Sequence, residues 1–200
     1  MINARRGNVD EWRRLLNDAV VHGTPEAPII NRKGRHSPRM VDMRIPLANG
    51  ARAGWVCEHL AWALSGGVFD TRAIASSGVP GTLAVGVLLA RLPEMEACVV
   101  RSERKKYDRR RIVEGARPES VVYVDDILSS GGSAMRAIKL LNAEGISVDG
   151  VLTIVCYDWK TGTARLSSEG VKAFHLVHLQ KKNRAPNEPG AAFFEGEFNP

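Results

Sequence analysis

An α/β domain with a doubly wound, largely parallel central sheet is the fold class that this 200-residue sequence predicts. Three observations carry it. Short apolar, β-branched runs alternate with stretches of helical periodicity between residues 53 and 179, the pattern of strands joined by helical crossovers. Two of the runs end in small-residue loops, Ser76-Ser77-Gly78 and Ser129-Ser130-Gly131-Gly132-Ser133, each followed at once by a helix pattern. The length suits one domain over residues 1–200 with a substantial core, rather than two.

The elements follow in order. Asn8 to Val21 predicts an amphipathic helix, with Asn8 as cap, acids in the first turn and Trp12, Leu15, Leu16 and Ala19 at helical spacing. A loop rich in turn formers and positive charge, from Asn31 to Pro38, leads to a short strand over Arg39–Arg44. Ala53–Leu64 predicts a second helix. Arg72–Ala75 predicts a central strand, after which Pro80 suits a first helical turn in front of GTLAVGVLLARL. Ala97–Val100 and Val121–Val124 predict buried strands, and Ser133–Glu144 a helix with Met135, Ile138, Leu140 and Leu141 inward and Gly145 as its stop. Val151–Tyr157, a short helix over Thr161–Ser168 and a strand over Ala173–Leu179 complete the set. The tail, residues 181–200, reads as a loosely ordered arm or a segment packed across a partner subunit.

Composition is that of a soluble globular protein, with 44% hydrophobic and 25% charged residues. The net charge of +6 suggests nucleic acid at first sight, but Arg101–Arg111 alone holds seven basic and two acidic residues. The excess is local, and aromatic stacking partners are sparse around it, so nucleic acid is not the expected partner. Cys57, Cys98 and Cys156 are too far apart for a metal knuckle or a redox pair and read as reduced core thiols. No apolar signal core opens the chain, and the run Leu83–Ala90 is too short to cross a bilayer, so a cytoplasmic protein without membrane contact is expected. His175 and His178 would face opposite sides of a regular strand, which argues against a metal pair there.

The stretch VVYVDDILSSGGS, Val121–Ser133, carries the chemistry. A strand, a small-residue loop and a helix start place backbone N–H groups and the hydroxyls of Ser129, Ser130 and Ser133 around one point, with Gly131 and Gly132 adding no bulk. That arrangement cradles a phosphate. Asp125 and Asp126, at the carboxyl end of the strand, can accept hydrogen bonds from sugar hydroxyls beside it, so a sugar phosphate is the natural ligand.

This stretch resembles the phosphoribosyl pyrophosphate (PRPP) motif of the type I phosphoribosyltransferases. The resemblance extends over roughly residues 30–160 and points to the orotate branch. Gly34-Arg35-His36-Ser37-Pro38-Arg39-Met40-Val41-Asp42-Met43-Arg44 is similar to that branch's N-terminal segment, and Arg101-Ser102-Glu103-Arg104-Lys105-Lys106-Tyr107 to its catalytic loop. The resemblance implies the type I fold with a small N-terminal hood over about residues 1–50. It implies transfer of phosphoribose from PRPP to a nucleobase, most simply orotate, in pyrimidine nucleotide biosynthesis. Mg²⁺ is implied through the oxygens of PRPP, with no protein metal ligands, and so is a homodimer with shared active sites. By the same resemblance, Lys105, Asp125 and Asp126 are catalytic. Arg101, Arg104 and Tyr107 contact substrate from a closing loop, Ser76, Ser77 and Gly78 hold pyrophosphate, and residues 129–133 hold the 5′-phosphate.

The sequence departs from the branch at defined points. Ser102 stands where a second basic residue is usual, Tyr107 where the loop has histidine, Ser77 where lysine is frequent, and Arg39-Met40 in place of an aromatic pair. Trp159 stands where an arginine would bind the orotate carboxylate; it could stack on the base or cap the sheet. Lys33, Arg35, Arg39 and Lys160 could hold a carboxylate from another direction. Two alternatives follow: a phosphoribosyltransferase for another base, and a non-catalytic PRPP-binding regulator.

Overall fold

The computed structural model describes residues 9–30, 34–103, 111–181 and 194–198. α1 (Val9–Asp18) turns Trp12, Leu15 and Leu16 into the core and carries Asp10 and Glu11 at its positive end. It stops short of the expected Val21, because Val20–His22 form a strand, β1. Val20 and Val21 are β-branched and pair better as strand than as a last helical turn. β2 (Ile29–Ile30) and β3 (His36–Ser37) form a two-stranded ribbon. β4 (Arg39–Val41) returns antiparallel to β1. The strand expected to run to Arg44 ends at Val41, since α2 (Arg44–Leu47) begins where the Asp42 carboxylate accepts the Arg44 N–H at 3.1 Å. α3 (Gly50–Ser65) starts earlier than its apolar periodicity indicated, capped by Asn49, whose side chain accepts the Arg52 N–H.

From here the chain alternates. β5 (Ala73–Ser76) leads through α4 (Gly78–Arg91) to β6 (Glu96–Val100) and the short β7 (Val113–Gly115). β8 (Ser120–Leu128) leads through α5 (Gly132–Ala143) to β9 (Ser147–Tyr157), then through α6 (Gly162–Ser168) to β10 (Lys172–Lys181) and β11 (Phe194–Phe198). The central sheet has the order β11-β10-β9-β8-β5-β6-β7. Its five inner strands are parallel; β7 and β11 run antiparallel at the edges. β7 and β11 were not anticipated, and β11 places the end of the expected loose arm in the sheet; residues 182–193, 199 and 200 lie outside the described residues.

Helices cover both faces, as a parallel sheet requires. α1, α3 and α4 pack with Ile74, Val122, Val124 and Leu152 into one core. α5 and α6 pack with Ala75, Val121, Tyr123 and Val151 into the other. Alternation between the faces slips at one row. Ile154 and Val155 of β9, and Leu176 and Val177 of β10, join the same core although consecutive. The slip overturns one expectation: His175 and His178 come to one side of β10, with ring centroids 5.3 Å apart.

Candidate active site

The strand order reverses between β5 and β8. Connections from β5 run to β6 on one side, while the chain after β8 continues to β9 on the other, leaving a crevice at the carboxyl ends where the two loops part. Ser77-Gly78 follows β5 on one flank, and Ser129-Ser130-Gly131 follows β8 on the other. Gly78 and Gly131 have φ of +71°, in the left-handed region. Gly131 precedes α5 with no side-chain cap, and the positive end of that helix favours an anion in front of it. The helix starts at Gly132, one residue before the expected Ser133.

β8 carries Asp125 and Asp126, and it runs on to Leu128, so the two acids sit within the ladder rather than after it. Each keeps different company. Ser77 donates to the Tyr123 hydroxyl, which donates to Asp125 Oδ2 at 3.3 Å. This chain ties the loop after β5 to the acid on β8. Asp126 lies on the N-terminal side, within electrostatic reach of Asp42, Arg44 and Tyr157. Arg44 grips Asp42 with two bonds, Nε–Oδ1 at 2.7 Å and Nη2–Oδ2 at 2.6 Å, and holds its carboxyl below the usual range. The Val41 N–H reaches the Tyr157 hydroxyl, whose pKa is pushed up to about 12, chiefly by burial. Trp159 stacks on Tyr157, centroids 4.7 Å apart and planes 21° from parallel. Segment 41–44 and the end of β9 thus form one wall around Asp126.

Burial lifts both carboxyls above the ordinary range, and for Asp125 the adjacent Asp126 adds to it. Such a pair gains from hydroxyl donors or a divalent cation. Mg²⁺ brought on a ligand's phosphate oxygens fits beside this pair, since that ion keeps most of its shell for phosphate and water.

A cavity of about 830 Å³ opens beside this centre, walled by Ser77, Gly78, Arg101, Ser133 and Arg136. Arg101 begins the basic segment directly after β6; its N–H donates to Ile112 O at 2.9 Å and its guanidinium is 3.7 Å from Glu114. The segment is therefore the connection of the antiparallel β6–β7 pair, rooted at the edge of the crevice. Arg104, Lys105 and Tyr107 lie outside the described residues, as does Lys33.

The expected residues divide accordingly. Asp125, Asp126, Ser77, Gly78, Ser129, Ser130, Gly131, Gly132, Ser133 and Arg101 gather at the carboxyl ends of β5, β6 and β8. Ser76 does not belong to the loop: it is the last residue of β5, 0% exposed, with its hydroxyl toward Thr82. Arg35 is at the surface, one residue before β3. Sequence reasoning missed Tyr123, hidden in an apolar run, and Arg136, whose only signal is its position one turn beyond Ser133. It also missed Arg165 of α6, whose Cδ is 3.5 Å from where a Cβ on Gly131 would stand.

No family model matches the chain. Curated relatives do: the orotate phosphoribosyltransferase of Cutibacterium acnes is 29% identical over 165 residues, covering 82% of this chain and 76% of the relative. That of Bacillus caldolyticus is 29% identical over 168 residues, covering 82% and 80%. Among solved structures, orotate phosphoribosyltransferase from Aeropyrum pernix superposes with a TM-score of 0.68 at 26% identity, covering 82% of this chain and 91% of that one.

Proposed function

We propose, from the premise that this chain belongs to the type I phosphoribosyltransferases in their orotate-like branch, that it transfers the 5-phosphoribosyl group of PRPP to orotate and releases pyrophosphate. One observation carries the reading at the level of the site. Paired carboxylates on β8 stand between two anion-binding turns, at the point where the strand order reverses.

Displacement of pyrophosphate at the anomeric carbon develops positive charge on the ribose and negative charge on the leaving group. Residues 129–133 and the N-terminus of α5 hold the 5′-phosphate. Asp125 and Asp126 accept from the ribose hydroxyls and face the developing cation. Ser77 and Gly78, with Arg101, Arg104 and Lys105, receive the pyrophosphate. Mg²⁺ would be held through the substrate's own oxygens beside Asp125 and Asp126, and would supply charge neutralisation of the leaving group. Tyr107 and the rest of the basic segment exclude water from the hydrolysable centre, and a homodimer with shared sites fits a segment rooted at the sheet's edge. Trp159, stacked on Tyr157, adds an aromatic ring on the side of the base, and Arg35 adds a cation at the surface before β3. A cytoplasmic location agrees with an enzyme of nucleotide synthesis; no described helix is long and apolar enough to cross a membrane.

The test is orotate consumption followed by absorbance with PRPP and Mg²⁺, wild type beside Lys105→Ala. Signal loss in the wild type, with turnover in the variant reduced far more than PRPP affinity, is expected. PRPP binding without orotate turnover would overturn orotate as acceptor and leave another base, the reading Trp159 favours, or a PRPP-binding regulator. A panel of purine and pyrimidine bases separates those two.

A further inference from the structure

Beyond the crevice, the carboxyl ends of β9 and β10 hold a cluster that the transfer reaction does not use. Cys156 and His178 are register partners in the parallel β9–β10 pair, so their side chains leave the same face of the sheet side by side. Asp158 follows β9 and extends the ladder, its N–H donating to Leu179 O at 3.1 Å. Cys156 Sγ, an Asp158 carboxylate oxygen and an imidazole nitrogen of His178 all lie within 4.8 Å of one another. His178 Nδ1 and Asp158 Oδ1 are 2.9 Å apart. The register brings His178 to Cys156, and the slip in alternation, shared by both strands, puts the pair on the face of His175 and brings the two imidazole rings together.

We infer that Cys156, Asp158 and His178 form a binding site for a borderline-soft divalent cation of the Zn²⁺ class. The donor set decides the class: a thiolate and an imidazole with one carboxylate suit Zn²⁺ and disfavour Mg²⁺ and Ca²⁺, which want oxygen throughout. Bonds of about 2.0 Å to nitrogen and oxygen and about 2.3 Å to sulfur put tetrahedral ligand atoms roughly 3–4 Å apart. His178 and Asp158 already stand near that spacing. Side-chain rotation closes the remaining spacing; Asp158 is exposed on the turn after β9, and the backbones of Cys156 and His178 are held by paired strands. On binding, the cation takes the place of the proton on Cys156 and of the hydrogen between Nδ1 and Oδ1, and solvent fills the fourth position.

The surroundings support the ligands as well. His175 meets the ring of His178 edge-on and is tied through Nδ1 to Thr153 Oγ1 at 2.7 Å, which fixes the orientation of both rings. Thr163 of α6 lies 3.3 Å from Cys156 Sγ. The site is separate from the carboxylates of β8, and Asp158 is the residue between Tyr157 and Trp159, so an ion there pins the segment that forms the base-side wall.

Titration of chelator-treated full-length protein with Co²⁺ tests the inference, because thiolate ligation produces a near-ultraviolet charge-transfer band that an imidazole–carboxylate pair alone does not. One equivalent of Co²⁺ developing that band, displaced by Zn²⁺ and not by Mg²⁺, is expected. Cys156→Ser should abolish the band, and Asp158→Asn and His178→Gln should each weaken binding about tenfold or more. Cys57→Ser and Cys98→Ser should leave it intact. Absence of the band in the wild type, or its persistence in Cys156→Ser, would overturn the site. The wild-type titration stands by itself if a variant fails to fold.

Discussion

Gly162 and Ser129 are in contact across the gap between α6 and the loop after β8, so closely that a Cβ on Gly162 would strike the Ser129 carbonyl oxygen and stand 2.7 Å from Leu128 Cγ. The first turn of α6 therefore sets the height of the loop from behind. Gly162→Ala has to push Ser129 toward the ligand or move α6, an overpacking that costs about 1–3 kcal/mol. We expect the KM for PRPP to rise about tenfold or more and the melting temperature to fall. Unchanged PRPP kinetics would mean that the loop does not depend on this contact.

Tyr123 couples the two flanks of the crevice, receiving from Ser77 and donating to Asp125. Its ring is fully buried, so Tyr123→Phe keeps the packing and removes only the hydroxyl. Losing the hydrogen bonds costs about 1–3 kcal/mol, since Ser77 and Asp125 are both left without that partner. Steady-state kinetics should show kcat/KM for PRPP down about tenfold, with the circular dichroism spectrum unchanged.

The Asp125–Asp126 pair makes the ligand-free protein sensitive to pH. Both carboxyls bind protons more tightly in the folded than in the unfolded chain, so folding stability falls as pH rises from the ordinary carboxylate range into neutral pH. The double variant Asp125→Asn/Asp126→Asn removes that dependence. It should melt above the wild type at pH 8, by about 2–4 °C for each kcal/mol relieved, with the gap closing toward pH 4. Turnover should drop about 100-fold or more as charge-assisted contacts to the ribose are lost. Parallel melting curves at all pH values would contradict the buried-pair assignment.

Trp159 stacks on Tyr157 and has one face committed to the protein. If the other face receives the base, Trp159→Ala raises the KM for orotate about fivefold, in keeping with about 0.5–1.5 kcal/mol for an aromatic pair, and leaves the KM for PRPP in place. Equal changes in both constants would assign the ring to the sheet's edge alone.

The parallel α/β sheet, its two small-residue turns and the acidic pair were legible in the sequence because each depends on neighbours along the chain. Val121–Val124 reads as buried strand, Asp125-Asp126 as its polar end, and the serines and glycines after it as an anion turn, with no knowledge of what packs above. Tertiary structure decided what depends on distant partners. β1 and β7 are three-residue strands that exist only because β4 and β6 lie beside them, and their own patterns are too short to announce them. Ser76 reads as part of a loop until β8 and α4 bury it. Tyr123 looks like one more apolar strand residue until Ser77, 46 positions away, meets its hydroxyl. The slip that puts Ile154 with Val155, and Leu176 with Val177, into one core is a packing choice of the assembled sheet. It reverses the facing that strict alternation assigns to His178 relative to His175 and brings the two rings together, while the β9–β10 register sets His178 beside Cys156.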